Sequence, residues 1–247
     1  MTTVTRTATR GQRMDHDAWM AAAEQEYARL LDLLRALDAD AWTRPTDCSE
    51  WDVRQLVAHL VGAAEAMASV RETVRQDRLG KRLRPGADGI DGMTAVQVQE
   101  RADATPAELV AALADAGPRA VRVRRRLPAV VRALRVPFGP PLGVRSVGYL
   151  MDRIYTRDAW LHRVDLARAT GRALLLTADH DGRIVADVVH EWAATHRQPY
   201  RLVLTGPAGG SFGTGDGEPV ELDAVEFCRL LSGRGTGTGL LATRVPF

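Results

Sequence analysis

The feature that most limits what this chain can fold into is a helical repeat that recurs four times and then stops. Residues 15–37, DHDAWMAAAEQEYARLLDLLRAL, set apolar side chains three and four apart, the spacing of one helix face. A turn-rich link, DADAWTRPTDCSEW, follows. Ser49, with Asp52 three positions on, reads as a capping-box start for a second helix running through VRQLVAHLVGAAEAMASVRETVRQ. Residues 79–93 are rich in Gly, Pro and charge and read as a loop. Residues 106–135 predict a third helical segment, with Pro106 in its first turn and Pro128 kinking or splitting it. After VPFGPPLG comes a fourth helix, about residues 144–170, ending near Gly171. Four long helices joined by loops predict a bundle over residues 15–175.

Past residue 178 the pattern changes. A helix over roughly 180–196 precedes the strand-like YRLVLTG, a Gly-rich turn and PVEL. DAVEFCRLLSGR then reads as a helix and GLLATRV as a last strand. The expectation is an α+β chain in which residues 180–247 form a small α/β domain after the bundle.

Hydrophobic residues make up 45% of the 247, enough for a substantial core. No apolar run approaches the roughly 18–20 residues that span a bilayer, so no membrane partner is expected. Residues 1–14 are polar and basic, without the apolar segment of a secretory signal, and read as a disordered lead-in to a cytoplasmic protein. The formal net charge of +2 gives no case for nucleic acid. Lys81 is the only lysine, asparagine is absent and isoleucine occurs three times, so the arginine abundance reflects a GC-rich genome. The run VRVRRRLPAVVRALR lacks interleaved aromatics on which bases stack and reads as a solvated helix face. Cys48 and Cys228 form no CxxC pair and read as reduced, structural thiols.

One stretch carries chemistry. In TRDAWLHRVDL, residues 156–166, Asp158 and His162 stand four apart and project from one helix face. Such a pair suits either a surface ion pair or two ligands of a metal. Asp165, three residues further on, either orients the His162 imidazole or points to solvent. His59, beside the apolar stripe of Leu56 and Leu60, is either a hydrogen-bonded core histidine or a third ligand. Three protein ligands with a vacant fourth position would match a catalytic zinc site. His16, His180, His190 and His196 have no such pairing.

The segments WTRPTDCSEWDVRQLVAHLVG, DRIYTRDAWLHRVDLARATGR and VELDAVEFCRLLSGRGTGTGLLATRVPF, in that order, resemble the mycothiol-dependent maleylpyruvate isomerase family. The resemblance spans residues 15–247. It implies a DinB-like four-helix bundle followed by a small sterol-carrier-like domain. It also implies a divalent metal, zinc by preference, on His59, Asp158 and His162, where the characterised isomerase has glutamate at the position of Asp158. The implied cofactor is mycothiol or a related small thiol, held as thiolate by the metal. The implied chemistry is addition of sulfur to an activated double bond, rotation and elimination, as in the conversion of maleylpyruvate to fumarylpyruvate. Where elimination does not return the thiol, the same site is an S-transferase. Arg234 matches an arginine the family places near the active site, suited to a carboxylate of the small-molecule electrophile or of the thiol. Its alternative is an arginine serving a helix C-terminus. Two other readings stay open: a metal-dependent hydrolase or lyase that activates water, and a metal-containing binding protein without turnover.

Overall fold

The computed structural model describes residues 13–247 apart from residues 88, 140, 141, 214, 215 and 218. The expected disordered lead-in lies, up to residue 12, outside the described residues. The fold is α+β and divides into two compact units, one built on His16–Leu174 with Phe247, the other on Leu175–Pro246 joined by residues 13–15. No helix of the described residues is long and apolar enough to cross a membrane.

The first unit is a bundle of α1 (His16–Arg35), α2 (Val53–Ala68), α5 (Pro106–Arg125) and α7 (Tyr155–Thr170). Helices α3 (Val70–Leu83) and α4 (Gly89–Gln99) pair with each other and lie against α2. Helix α1 buries Trp19, Met20, Ala23, Tyr27, Leu30 and Leu34, the three- and four-residue spacing read from its sequence. Each large apolar side chain removed from water there stabilises the fold by about 1.5–3 kcal/mol. One ion pair is buried with them: Arg163 Nε donates to Glu26 Oε1 at 2.5 Å and its Nη2 to Oε2 at 3.2 Å, both residues almost fully enclosed.

Several boundaries differ from expectation. The cap of α2 is Asp52, which accepts from Gln55 N while Gln55 Oε1 accepts from Asp52 N; Ser49 is not the cap. Asp52 is drawn there by its extended pairing with Pro45. The second helix is not continuous. It stops at Ser69, whose backbone is extended (φ −154°, ψ 116°) and whose hydroxyl caps α3 at Glu72 N. The stretch read as a loop over 79–93 is mostly helical, because its glycines serve packing. A Cβ on Gly80 would stand 2.4 Å from the Gly92 carbonyl carbon, so α3 and α4 meet backbone to backbone. Pro128 does split the third segment, leaving a short α6 (Ala129–Ala133). The arginine run is not wholly solvated: Arg124 is completely buried, its Nη2 donating to Thr156 Oγ1 at 2.7 Å. The fourth helix begins later than expected. Strands β1 (Arg135–Pro137) and β2 (Val144–Ser146) pair antiparallel, and a π-helical turn over Tyr149–Ile154 then leads into α7.

The second unit holds α8 (Asp181–His196), strands β3 (Arg201–Thr205), β4 (Gly210–Gly213) and β5 (Pro219–Asp223), and α9 (Ala224–Ser232). Strand β3 is central, antiparallel to β4 and parallel to β5. Its Leu202 and Leu204 alternate inward, and Trp192 and Phe227 are fully buried with ring centroids 5.3 Å apart. GLLATRV is not a strand. Its Gly239–Ala242 part is a 3-10 turn, with Thr243 N donating to Leu240 O and Val245 N to Leu231 O, so its backbone groups are met without a sheet.

Candidate metal centre

Helix α7 sets Asp158 and His162 one turn apart, and α2 brings His59 across to them. His162 Nε2 lies 3.2 Å from Asp158 Oδ1, and His59 Nε2 lies 3.7 Å from Asp158 Oδ2. One ligand atom from each of the three falls within 4.8 Å of the others. The two imidazoles meet edge to face, 5.2 Å between centroids. Asp158 is the most open of the three, its side chain about a quarter exposed, while His59 and His162 are buried. The three residues named from the sequence are thus brought together. Arg234 lies on the other unit, just past α9, where its backbone N–H donates to Arg229 O at 2.9 Å and its Nη1 reaches Ser232 Oγ at 3.3 Å.

Hydrogen bonds behind each histidine decide which nitrogen faces the site. His59 Nδ1 lies 2.8 Å from Gln97 Oε1, Gln97 Nε2 donates to Gln76 Oε1 at 2.8 Å, and Gln76 Nε2 donates to Gly62 O and Glu72 Oε1, both at 3.0 Å. A carbonyl and a carboxylate can only accept, so the far end of this chain must receive the Gln76 amide N–H groups. That orients Gln76, which orients Gln97, which requires a proton on His59 Nδ1. The Nε2 lone pair is left facing Asp158. Sequence reasoning had no hold on Gln97, which falls between the stretch read as a loop and the third helix, 38 residues from His59, or on Gln76, read only as the end of the second helix.

His162 is held similarly. Asp165, fully buried, has Oδ2 3.1 Å from His162 Nδ1, which resolves the alternatives for this residue in favour of orienting the ring. A carboxylate behind a metal-ligating imidazole is the usual arrangement at zinc centres. Cys48 Sγ adds a contact at 3.6 Å to the same Oδ2 and lies 3.9 Å from His162 Nδ1. No sequence spacing suggested it.

The charges are strongly coupled. Burial alone would raise the Asp158 carboxyl, but the His162 charge and hydrogen bonds from both histidines outweigh it and hold the group well below the ordinary carboxylate range. Burial alone would lower His162, yet Asp158, with hydrogen bonds to Asp165 and Cys48, keeps it well above the ordinary imidazole value. Tyr155, one turn before Asp158, is pushed up to about 12 by burial and by the Asp158 charge. The donor set of two imidazoles with fixed tautomers and one carboxylate fits a divalent metal, zinc above all.

Fold and site define a helical-bundle protein with a His–Asp–His cluster between two of its bundle helices. The chain belongs to the mycothiol maleylpyruvate isomerase N-terminal domain family, whose model matches residues 23–167. Two solved structures are similar, the mycothiol-dependent maleylpyruvate isomerase and a histidine-to-alanine mutant of it. Each is 15% identical with a TM-score of 0.60, over 90% of this chain and 91% of the other. At that identity the likeness is one of fold. Comparison with curated protein sequences gave no match.

Proposed function

We propose that this protein is a cytoplasmic enzyme that uses a divalent metal, zinc, and a small thiol, mycothiol, to act on a carboxylate-bearing electrophile. The observation that carries the reading is the convergence of His59, Asp158 and His162 within 4.8 Å, in a chain of this family. When bound, the ion supplies the Lewis acidity that keeps a thiol as thiolate near neutral pH. His59 and His162 would each offer Nε2, and Asp158 one carboxylate oxygen. Gln97 and Asp165 hold the two rings in register, and Trp51, stacked 5.1 Å from His59, shields one side from water. The substrate's double bond would take up the sulfur, its electron pair moving onto the adjacent carbonyl. Rotation about the new single bond and expulsion of the same sulfur give cis–trans isomerisation; uptake of a proton from solvent at the carbon next to that carbonyl, with the sulfur retained, gives S-transfer. Arg234 is assigned to a carboxylate of substrate or thiol.

Elemental analysis and thiol titration test this together. About one zinc per chain is expected in the wild type and none in His162→Ala, with a sulfur neighbour of the zinc at saturating mycothiol by X-ray absorption. Stoichiometric metal retained in His162→Ala would remove the ligand assignment. Zinc without any sulfur neighbour would remove the thiol and leave water activation as the reading.

A further inference from the structure

A second convergence of ligand-type atoms lies on the other edge of the His162 ring, where the turn before α2 brings in a thiol. Cys48 Sγ is 3.6 Å from Asp165 Oδ2 and 3.9 Å from His162 Nδ1, and those two atoms are 3.1 Å apart. A tetrahedral ion with bonds of about 2.0–2.3 Å to S, N and O sets its ligand atoms roughly 3.3–3.7 Å from one another. The three distances bracket that range. The shortest joins a hydrogen-bonded pair, which an ion in place of the proton would spread. The turn is fastened to the helix that carries the other two residues. Asp47 Oδ2 accepts from Arg168 Nε at 3.0 Å, and Arg44 Nη1 donates to Thr170 O at 3.1 Å. Within the turn, Trp51 N donates to Cys48 O at 2.8 Å and Cys48 N to Thr46 Oγ1 at 3.2 Å. Cys48 is thus positioned by bonds that do not involve its sulfur, and it is only half-buried, within reach of an arriving ion.

We propose that Cys48 Sγ, His162 Nδ1 and Asp165 Oδ2 form a second metal site, for a thiophilic divalent ion such as cadmium or excess zinc. Thiolate, imidazole and carboxylate together are donors that such ions accept readily. His162 serves both sites. Its Nε2 faces Asp158 and its Nδ1 faces Asp165 and Cys48, so one ring bridges two ions without turning. Binding of the second ion releases the Cys48 thiol proton and the Nδ1 proton to solvent, leaving a thiolate and an imidazolate. Two carboxylates, one thiolate and one imidazolate then set four negative charges against the four positive charges of two ions, the balance a buried cluster needs. The second ion must displace a proton that Asp165 already holds, so it binds more weakly, and stoichiometric zinc fills the first site alone. The inference rests on His162 as a shared ligand and not on the thiol chemistry of the first site.

Cadmium titration of the metal-free full chain, in a phosphine reductant, tests this by calorimetry and by the ultraviolet charge-transfer band of a cadmium–thiolate bond. The wild type is expected to take up about two ions per chain and to show the band. Cys48→Ser should lose the band and take up about one ion, held by His59, Asp158 and His162. Iodoacetamide on the folded wild type gives the same comparison if that variant does not fold, since it reaches Cys48 and spares the fully buried Cys228. His59→Ala removes a ligand of the first site only, and should keep the band and about one ion. A band that survives in Cys48→Ser or in the alkylated protein would overturn the site, as would a wild type that binds cadmium without any band. A wild type that takes up one ion with the band, unchanged in His59→Ala and lost in Cys48→Ser, would uphold this site and remove the first cluster instead.

Discussion

His59 Nδ1 sits 2.8 Å from Gln97 Oε1, at the end of an amide chain whose direction is set at Gly62 and Glu72. Removing the acceptor frees the ring to turn and to take the other tautomer. Gln97→Leu is expected to lower zinc affinity about 10- to 100-fold, the range found when such supporting partners are lost. Gln97→Glu keeps an acceptor and should stay within a few-fold of wild type. Chelator competition reads both, and equal affinities in Gln97→Leu and wild type would show that the ring needs no such support.

Zinc affinity should also depend on pH. His162 is raised well above its ordinary 6.5, because Asp158 and Asp165 hold its proton despite burial. A metal needs the unprotonated Nε2, so binding near neutrality releases a proton. Apparent affinity is expected to rise about tenfold per pH unit through neutrality and to flatten once His162 titrates. The metal-free protein runs the opposite way. The stabilisation tied to the raised group is fully present below pH 6.5 and lost as pH rises through the folded value. Calorimetry in two buffers of different ionisation enthalpy measures the released proton directly; a buffer-independent heat at pH 7 would contradict this.

The parts of this molecule legible in the sequence are those set by local periodicity. Apolar spacing exposes α1 because its core face repeats every turn, and the four-residue step from Asp158 to His162 is itself a contact. Residues that act through tertiary contact were not legible. Gly80 and Gly92 read as loop formers, yet they allow two helix backbones to touch, and only the partner helix reveals that use. Gln76 and Gln97 lie on those same helices, and the support they give His59 is a contact between helices that no spacing along the chain announces. Arg124 was lost for a different reason. Its neighbours Arg122, Arg125 and Arg126 are exposed, and a run of arginines gives no sign of which member turns inward. The GLLATRV segment has the composition of a strand, but composition does not say whether a sheet edge is within reach.

The buried Glu26–Arg163 pair ties α1 to α7, the helix that carries two of the three candidate ligands. Glu26→Ala would leave the Arg163 charge enclosed without its carboxylate, and the expected loss is about 3–5 kcal/mol. Replacing both partners, as Glu26→Leu with Arg163→Met, removes the stranded charge and should recover most of that loss. Urea melts of the metal-free proteins compare them. A single variant no less stable than the double would mean that the cavity, and not the loss of this carboxylate beside Arg163, sets the cost.

Arg234 offers the sharpest separation between binding and metal retention. Its backbone helps close the C-terminal end of α9, where Gly233 takes the left-handed conformation (φ 100°) and Arg234 N donates to Arg229 O. That bond involves the main chain and survives any substitution of the side chain. The guanidinium donates through Nη1 to Ser232 Oγ at 3.3 Å. If the side chain serves only the helix terminus, Arg234→Ala costs a few tenths of a kcal/mol of stability and changes nothing at the cluster. If it meets a carboxylate of substrate or thiol, Arg234→Ala should raise KM about tenfold or more, the scale of a lost charged hydrogen bond, with zinc content unchanged. Arg234→Lys keeps the charge without the forked geometry and should restore only part of the binding. Steady-state kinetics with varied thiol and varied electrophile show which ligand it meets, since only that KM should rise. Unchanged constants for both ligands in Arg234→Ala would return this residue to a purely structural role.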